Sequence, residues 1–413
     1  MGLWRGSIDR TQLEVYRGLI GITMTIEGHV SEDIDLNAWG ESVLRLSDIH
    51  INGHQLPSKL YVTTSAKADI KRGDIVSVRG KLAEGFGTFP AAMYRARVVN
   101  VKRPEPGDIA RQVRDWFADA VRRAIPEPQA SLGIGYIVGQ RRALPTELDQ
   151  ALQIAGLTHI VVASGYNLTI LVRLARRSFE KVSKYLSALS AGTMIVSFVA
   201  ITGMSPSMSR AGLVAGLSLL AWYYGRKFHP IVLLLLASAV TLFVNPSFGW
   251  NDLGWQLSFA AFAGVMIVAP LAQAYFFGEK KPGTVRQILG ETIAAQLVTF
   301  PILVLAFGQF SNVAILANLW VLPLVPLAML LTFAAGVVSL LVPVLATVAG
   351  LPASWLLGYM TSVAGYMASL PWAQTELSIA PWHVVIFYAA LIAACIGMWR
   401  KTDYNLRDGN IIE

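Results

Sequence analysis

Charge is scarce in this chain. Only 15% of its 413 residues are Asp, Glu, Lys or Arg, where a soluble protein carries about 25%. Residues 186–209 and 253–278 have none, and Glu376 is the only charge in residues 292–399. Runs this long and this apolar exclude an ordinary soluble domain and indicate several membrane spans. Cysteine is nearly absent too. The single Cys395 excludes an intramolecular disulfide and, set in an apolar run, reads as a packing residue. The six histidines, at 29, 50, 54, 159, 229 and 383, form no metal-binding cluster, so neither a metal nor another cofactor is expected. No glycine loop ending in Gly-Lys-Ser or Gly-Lys-Thr occurs, which leaves any energy source outside the chain.

Basic residues exceed acidic ones, 34 to 26, and the excess is uneven. Residues 1–110 hold 14 basic and 13 acidic side chains, and residues 111–413 hold 20 and 13. The excess therefore lies in the apolar part, where membrane topology explains it better than a polyanionic partner.

Residues 1–105 read as a separate soluble-type domain. Strand-like alternation appears at 21–30, 42–49, 59–64, 75–82 and 92–101, separated by Gly-containing turns. Five short strands of this kind suggest a small β-barrel, with the oligonucleotide-binding (OB) fold the natural candidate. The domain is near neutral, but residues 67–103 hold nine basic residues against three acidic ones, with Phe86, Phe89 and Tyr94 between them. Lys71, Arg72, Arg79, Lys81, Arg95 and Arg97 are the candidate contacts to a single strand, although a solvated basic face over core aromatics is the plainer reading. His50 and His54 flank Asn52-Gly53 and read as loop residues.

Residues 106–128 predict an interfacial amphipathic helix. Ile109, Val113, Trp116, Phe117, Ala120, Val121 and Ile125 share a face, with Arg111, Arg114, Arg122 and Arg123 around the other. Residues 129–400 predict a polytopic helical domain with spans near 157–173, 187–203, 211–225, 229–245, 253–277, 288–308, 312–341, 353–370 and 382–399, followed by a tail at 401–413. Thr146 reads as the cap of the helix entering the first of these, and the Gly212–Gly216 pair as a packing face. The fold class is thus a multi-domain membrane protein, an N-terminal OB-like barrel followed by a transmembrane helical domain.

Alternate loops carry the basic residues: five in 173–184, Arg226 and Lys227, three in 280–286 and three in 400–407. By the positive-inside rule these loops and the C-terminus face the cytoplasm, and the N-terminal domain faces outward. An exported domain requires a signal or an upstream span. Residues 1–7 provide neither, so either residues precede Met1, the favoured reading, or the domain is exported by an unusual route.

The stretch 156–170, Gly-Leu-Thr-His-Ile-Val-Val-Ala-Ser-Gly-Tyr-Asn-Leu-Thr-Ile, concentrates the chemistry. It is apolar enough for a bilayer, yet holds His159, Ser164 and Asn167, and Ser164-Gly165 interrupts it. Backbone that leaves the helix at that depth must be satisfied by protein or by a hydrated cavity, and polar side chains there mostly face one. A broken helix beside a polar site is expected, with a fully hydrogen-bonded buried helix as the alternative.

Four blocks resemble the ComEC competence family. They are Gly139-Gln-Arg141-Arg142 with Gly156-Leu-Thr-His159 and Ala163-Ser164-Gly165; Gly203-Met-Ser-Pro206-Ser-Met-Ser-Arg210-Ala; Asn245-Pro246 followed by Asp252-Leu-Gly-Trp-Gln256-Leu-Ser258-Phe; and Asn318 with Pro323. Together they cover about residues 130–330, and the preceding OB-like domain fits the family's layout. The resemblance implies a channel for uptake of single-stranded transforming DNA across the bacterial cytoplasmic membrane, and not an enzyme. On it, His159, Ser164, Gly165, Asn167, Arg210, Asp252, Gln256 and Asn318 would line the DNA path, with Arg141 and Arg142 on the outer side. It also implies single-stranded DNA and the lipid bilayer as partners, a separate nuclease, a cytoplasmic motor ATPase, and a homo-oligomer. The sequence departs from the family pattern at Asn167, where a second histidine is usual, and nothing in it resembles the metallo-β-lactamase-like domain of many members. Two readings compete with the channel. One is a small-solute transporter, which also uses broken helices. The other is an intramembrane serine hydrolase with Ser164 as nucleophile and His383 or His229 as base.

Overall fold

The computed structural model describes residues 15–404 except 38, 52, 66–68, 141–143, 162–163, 204–205, 227–228 and 279–282. It divides into two compact units. One comprises residues 1–116, 199–205 and 240–252, and the other residues 117–198, 206–239 and 253–413.

The first unit is built on a closed barrel. Its strands are β1 (Thr23–Val30), β3 (Ser42–Ile51), β5 (Leu60–Thr64), β6 (Ile75–Phe86) and β7 (Phe89–Met93). β2 (Asp35–Leu36), β4 (His54–Leu56) and β8 (Arg97–Lys102) add to its edges. The order β1-β3-β5-β7-β6 closes through a β1–β6 pairing, and β5–β7 is its one parallel pair. A five-stranded closed barrel with this pairing is OB-like. Alternation along the strands produces it. Ile26, Val30, Leu44, Leu46, Leu60, Val62, Val76, Val78, Leu82 and Met93 point inward and are buried, each contributing roughly 1.5–3 kcal/mol of burial. Tyr16 plugs the core, its hydroxyl donating to the Pro57 carbonyl at 2.6 Å, and burial pushes its phenol up to about 12.

Two details differ from the sequence expectation. The last expected strand is divided between β7 and β8, because Arg95 adopts a left-handed φ of 52°. His50 is the penultimate residue of β3 and His54 the first of β4, across a turn at Gly53 (φ 84°), so they are strand residues.

Helix α1 (Ile109–Ala124) forms where predicted, but its faces differ from the periodic reading. Arg111 and Arg114 are buried. Arg114 pairs with Asp33 and Asp115, and Arg111 with Asp115 at 3.3 Å. Ile109, Val113 and Trp116 are exposed. Charge pairing within the barrel unit outweighs the apolar stripe over this half of the helix.

The second unit is helical. After α2 (Gln129–Val138), α3 (Thr146–Ile154) and the single turn α4 (Thr158–Val161) come α5 (Gly165–Phe179), α6 (Lys184–Thr202), α7 (Pro206–Tyr223) and α8 (Pro230–Val244), then the short α9 (Phe248–Asn251). They are followed by α10 (Leu253–Ala263), α11 (Ala269–Phe277), α12 (Thr284–Phe307), α13 (Ala314–Val321), α14 (Val325–Leu341), α15 (Ala346–Ala368) and α16 (Pro381–Thr402). Pro145, not Thr146, occupies the cap of α3, with no side-chain hydrogen bond. Among the described residues six helices are long and apolar enough to cross a membrane: Lys184–Thr202, Leu253–Phe277, Val285–Phe307, Ala314–Leu341, Pro343–Ala368 and Pro381–Thr402. The expected span at 157–173 is instead divided between α4 and α5.

Close approaches set the packing. Gly336 admits Phe117, whose ring atoms would lie 2.6 Å from an added Cβ, and Gly264 in the π-helical turn between α10 and α11 admits the Ala294 carbonyl at the same distance. Gly216 faces open space, so it is not the packing residue its spacing suggests.

Candidate functional site

The break in the central stretch is built by Ser164. Its backbone is extended and its Oγ accepts from the Asn167 amide at 3.3 Å, capping α5. Such a cap satisfies one of the donors that a helix start leaves open. Asn167 is fully buried. Its Nδ2 donates to the carbonyls of Tyr136, at 3.2 Å, and Ile160, at 3.3 Å. One side chain thus ties the start of α5 to the last turns of α2 and α4. Its Oδ1 is buried with no hydrogen-bond partner among the described residues.

The turn before the break is fixed by Gly156. Its φ is +70°, and an added Cβ would stand 2.5 Å from that of Ala314. Ser311 Oγ donates to the Ile154 carbonyl at 2.6 Å. This joins the stretch to α13, which carries buried Asn318. Neither Gly156 nor Ala314 stands out in the sequence beyond the Gly-Leu-Thr-His motif.

Arg210 lies one turn into α7 and is buried, 3% exposed. Its Nη2 donates to the Gly254 carbonyl at 2.8 Å. The next residue, Ala211, meets Gly165, where an added Cβ would be 3.4 Å away. Three helix starts therefore gather around Arg210: α5 at Gly165, α7 at Pro206 and α10 at Leu253. A helix start carries partial positive charge and inward-facing N–H groups. The guanidinium adds a full charge, so the cluster is suited to an anion.

Of the expected path residues, Ser164, Gly165, Asn167 and Arg210 lie in this cluster, and Gln256, half-buried on α10, stands two residues from the Gly254 carbonyl. His159 is exposed on α4. Asn318 lies one turn along α13 from Ala314, which packs on the Gly156 turn. Asp252 ends α9 in the barrel-bearing unit. Arg141 and Arg142 lie outside the described residues. Among the described residues no group of three His, Cys, Asp or Glu is placed to hold a metal.

On the barrel, Arg72 is buried and already engaged. It pairs with Asp108 at 2.6 Å and donates to the carbonyls of Ile201 and Ala200, at 3.2 and 3.5 Å. Burial would raise the Asp108 carboxyl, but its hydrogen bonds to Arg72 and the Arg111 amide, with both charges, hold it below the ordinary value. Lys71 sits 3.8 Å from Asp69. Arg79 and Arg97 are exposed and face each other in register across β6 and β8, with Lys81 two residues along β6. The aromatic residues gather elsewhere. Tyr61 on β5 has Phe86, Phe89 and Tyr94 at ring distances of 4.8, 5.6 and 6.4 Å. The cations nearest them are already paired, Arg95 with Glu41 and Arg45 with Asp35. The interleaving seen in the sequence thus becomes two surfaces.

The family model described as competence protein matches residues 136–402, which include the whole α5–α7–α10 cluster. ComE operon protein 3 of Bacillus subtilis (strain 168) is 27% identical over 219 residues, 52% of this chain and 27% of the relative. An uncharacterized protein of Aquifex aeolicus (strain VF5) is 24% identical over 164 residues, 38% of either chain. The chain therefore spans well under two thirds of the length of these relatives. No solved structure matches it. A family match across most of the helical unit, together with six apolar helices and a closed barrel, shows that the chain is a multi-pass membrane protein of the competence protein family.

Proposed function

We propose that this chain forms a channel that passes single-stranded DNA across the bacterial cytoplasmic membrane during natural competence. The observation that carries the reading is the cluster of three helix starts around Arg210, set in an apolar bundle. A polyanion crossing a bilayer needs hydrated polar surface and compensating positive charge. Helix starts and one arginine supply both without a wall of like charges. Ser164, Gln256 and Arg210 offer polar groups to the strand, Asn167 holds the helix break beside them from its buried position, and His159 and Asn318 stand along the route. Arg141 and Arg142 receive it on the outer side.

The positive-inside rule applied to the basic loops supports a cytoplasmic C-terminus and an external barrel. There the aromatic surface of Tyr61, Phe86, Phe89 and Tyr94 stacks bases, while Arg79, Lys81 and Arg97 attract the backbone from a separate face. Arg72 braces the barrel unit instead of contacting DNA. The chain itself transports and does not cleave. A separate nuclease, a cytoplasmic motor ATPase and further copies of the chain complete the machinery.

The test is uptake of labelled DNA in a competent host, with protein abundance checked by blot. Arg210→Ala abolishes uptake at normal abundance, Arg210→Lys retains part of it because charge survives without the bidentate fork, and Arg226→Ala leaves it intact. Wild-type uptake by Arg210→Ala refutes the reading.

A further inference from the structure

A second cationic site lies at the far end of the same helices. α5 and α7 run parallel: Gly165 meets Ala211 at their starts, and eleven residues later Arg176 meets Trp222. α6 packs against the pair, with Ser187 and Ser190 donating to the carbonyls of Arg176 and Ala175 at 2.8 and 3.0 Å. Arg176 is 3% exposed, its guanidinium carbon is 5.0 Å from the centre of the Trp222 ring, and its Nε has no hydrogen-bond partner among the described residues. Lys184, at the start of α6, places Nζ 5.7 Å from that same ring and 5.7 Å from the ring of Tyr223. Neither cation has a carboxylate partner among the described residues, whereas ion pairs are frequent in the barrel unit.

Two unpaired cations on one indole repel each other, and a buried guanidinium without a counter-ion is costly. Aromatic faces offset part of that cost, and a phosphate oxygen would satisfy both groups at once. Around the site Val182, Tyr185, Leu186 and Tyr224 are exposed. They form an apolar shoulder suited to an acyl chain and unsuited to a hydrated strand. We infer that Arg176, Lys184, Trp222 and Tyr223 form a binding site for the phosphate headgroup of an anionic phospholipid. Basic pockets between membrane helices recognise such headgroups in this way. The site fixes the ends of α5, α6 and α7 opposite the Arg210 cluster, and its assignment does not depend on what that cluster conducts.

The test is native mass spectrometry of the full chain carried in an equal mixture of dioleoyl-phosphatidylglycerol and dioleoyl-phosphatidylcholine. One phosphatidylglycerol stays bound under activation that strips phosphatidylcholine. Lys184→Gln, at an exposed position, lowers that retention about fivefold, and Arg176→Gln lowers it further. Lys181→Gln, an equal charge change away from the indole, leaves it unchanged. Inorganic phosphate and a short oligothymidylate do not displace the lipid. Equal retention of the two lipids, or unchanged retention in Lys184→Gln, overturns the inference. Displacement by inorganic phosphate also overturns it, in favour of a free-phosphate site, and displacement by oligothymidylate does so in favour of a nucleic-acid contact.

Discussion

Replacing Asn167 with leucine tests whether the helix break is held by one side chain. Leucine has the same branched heavy-atom skeleton, so the change removes hydrogen bonds without opening a cavity. Asn167 Nδ2 donates to two carbonyls, of Tyr136 and Ile160, and the side chain is fully buried. A buried polar group left without a partner costs about 1–3 kcal/mol. Losing the donor strands two acceptors, while removing the unpartnered Oδ1 gives a little back. A net loss of about 2–4 kcal/mol follows. At about 2–4 °C per kcal/mol this lowers the melting temperature by roughly 5–15 °C. Asn312 is the control: its Nδ2 also makes two hydrogen bonds, to the Trp372 carbonyl and Thr375 Oγ1 at 2.8 and 2.7 Å, but at an exposed position. Asn312→Ala should cost under about 1 kcal/mol, because water replaces the lost partner. The assay is a thermal scan of tryptophan fluorescence in nanodiscs at one fixed heating rate for all variants. An Asn167→Leu melting temperature equal to that of Asn312→Ala would show that the tie to α2 and α4 does not hold the break.

Two further outcomes follow from the same structure. Gly156→Ala destabilises, since its φ of +70° and the 2.5 Å approach of Ala314 exclude a side chain, while Gly216→Ala, facing open space, stabilises by roughly 0.5–1 kcal/mol as a helix-interior replacement; thermal scans of the pair give opposite signs. Asp108, depressed below its ordinary 3.8 by Arg72 and the Arg111 amide against the opposing effect of burial, contributes stability that is present above that value and is lost as pH falls below it. Asp108→Asn should remove that acid-side loss and expose the buried Arg72 charge at neutral pH, costing about 3–5 kcal/mol, as read by denaturation at pH 7 and pH 3.

How much of this was legible depends on the range of the forces involved. The barrel strands were, because alternation is local and sets which side chains face inward. The break at Ser164-Gly165 was as well, since serine before glycine and an apolar run is a local helix-start signal. The roles of the arginines were not. Lys71-Arg72-Gly73-Asp74 reads as an exposed turn, yet Arg72 is buried because Asp108, 36 residues away, and two carbonyls at residues 200 and 201 receive it. The buried Arg114 depends in the same way on Asp33, 81 residues away. Asn167 was recognised as polar and central. Its donation to Tyr136 and Ile160 required knowing where α2 and α4 end. The number of spans was the least legible part, because α8 is apolar but only 15 residues long and α5 carries three arginines in its second half.

Conduction of a single strand is the central claim, and a reconstituted bilayer tests it most directly. The full chain is inserted into a planar lipid membrane and current is recorded while oligothymidylate is added to the side bearing the barrel. The account predicts a resting conductance that the single strand interrupts in discrete, voltage-dependent blocks. Those blocks shorten or vanish in Arg210→Ala and persist in Arg226→Ala. A bilayer with conductance that single-stranded DNA never blocks, or blocks identically in Arg210→Ala, would contradict it.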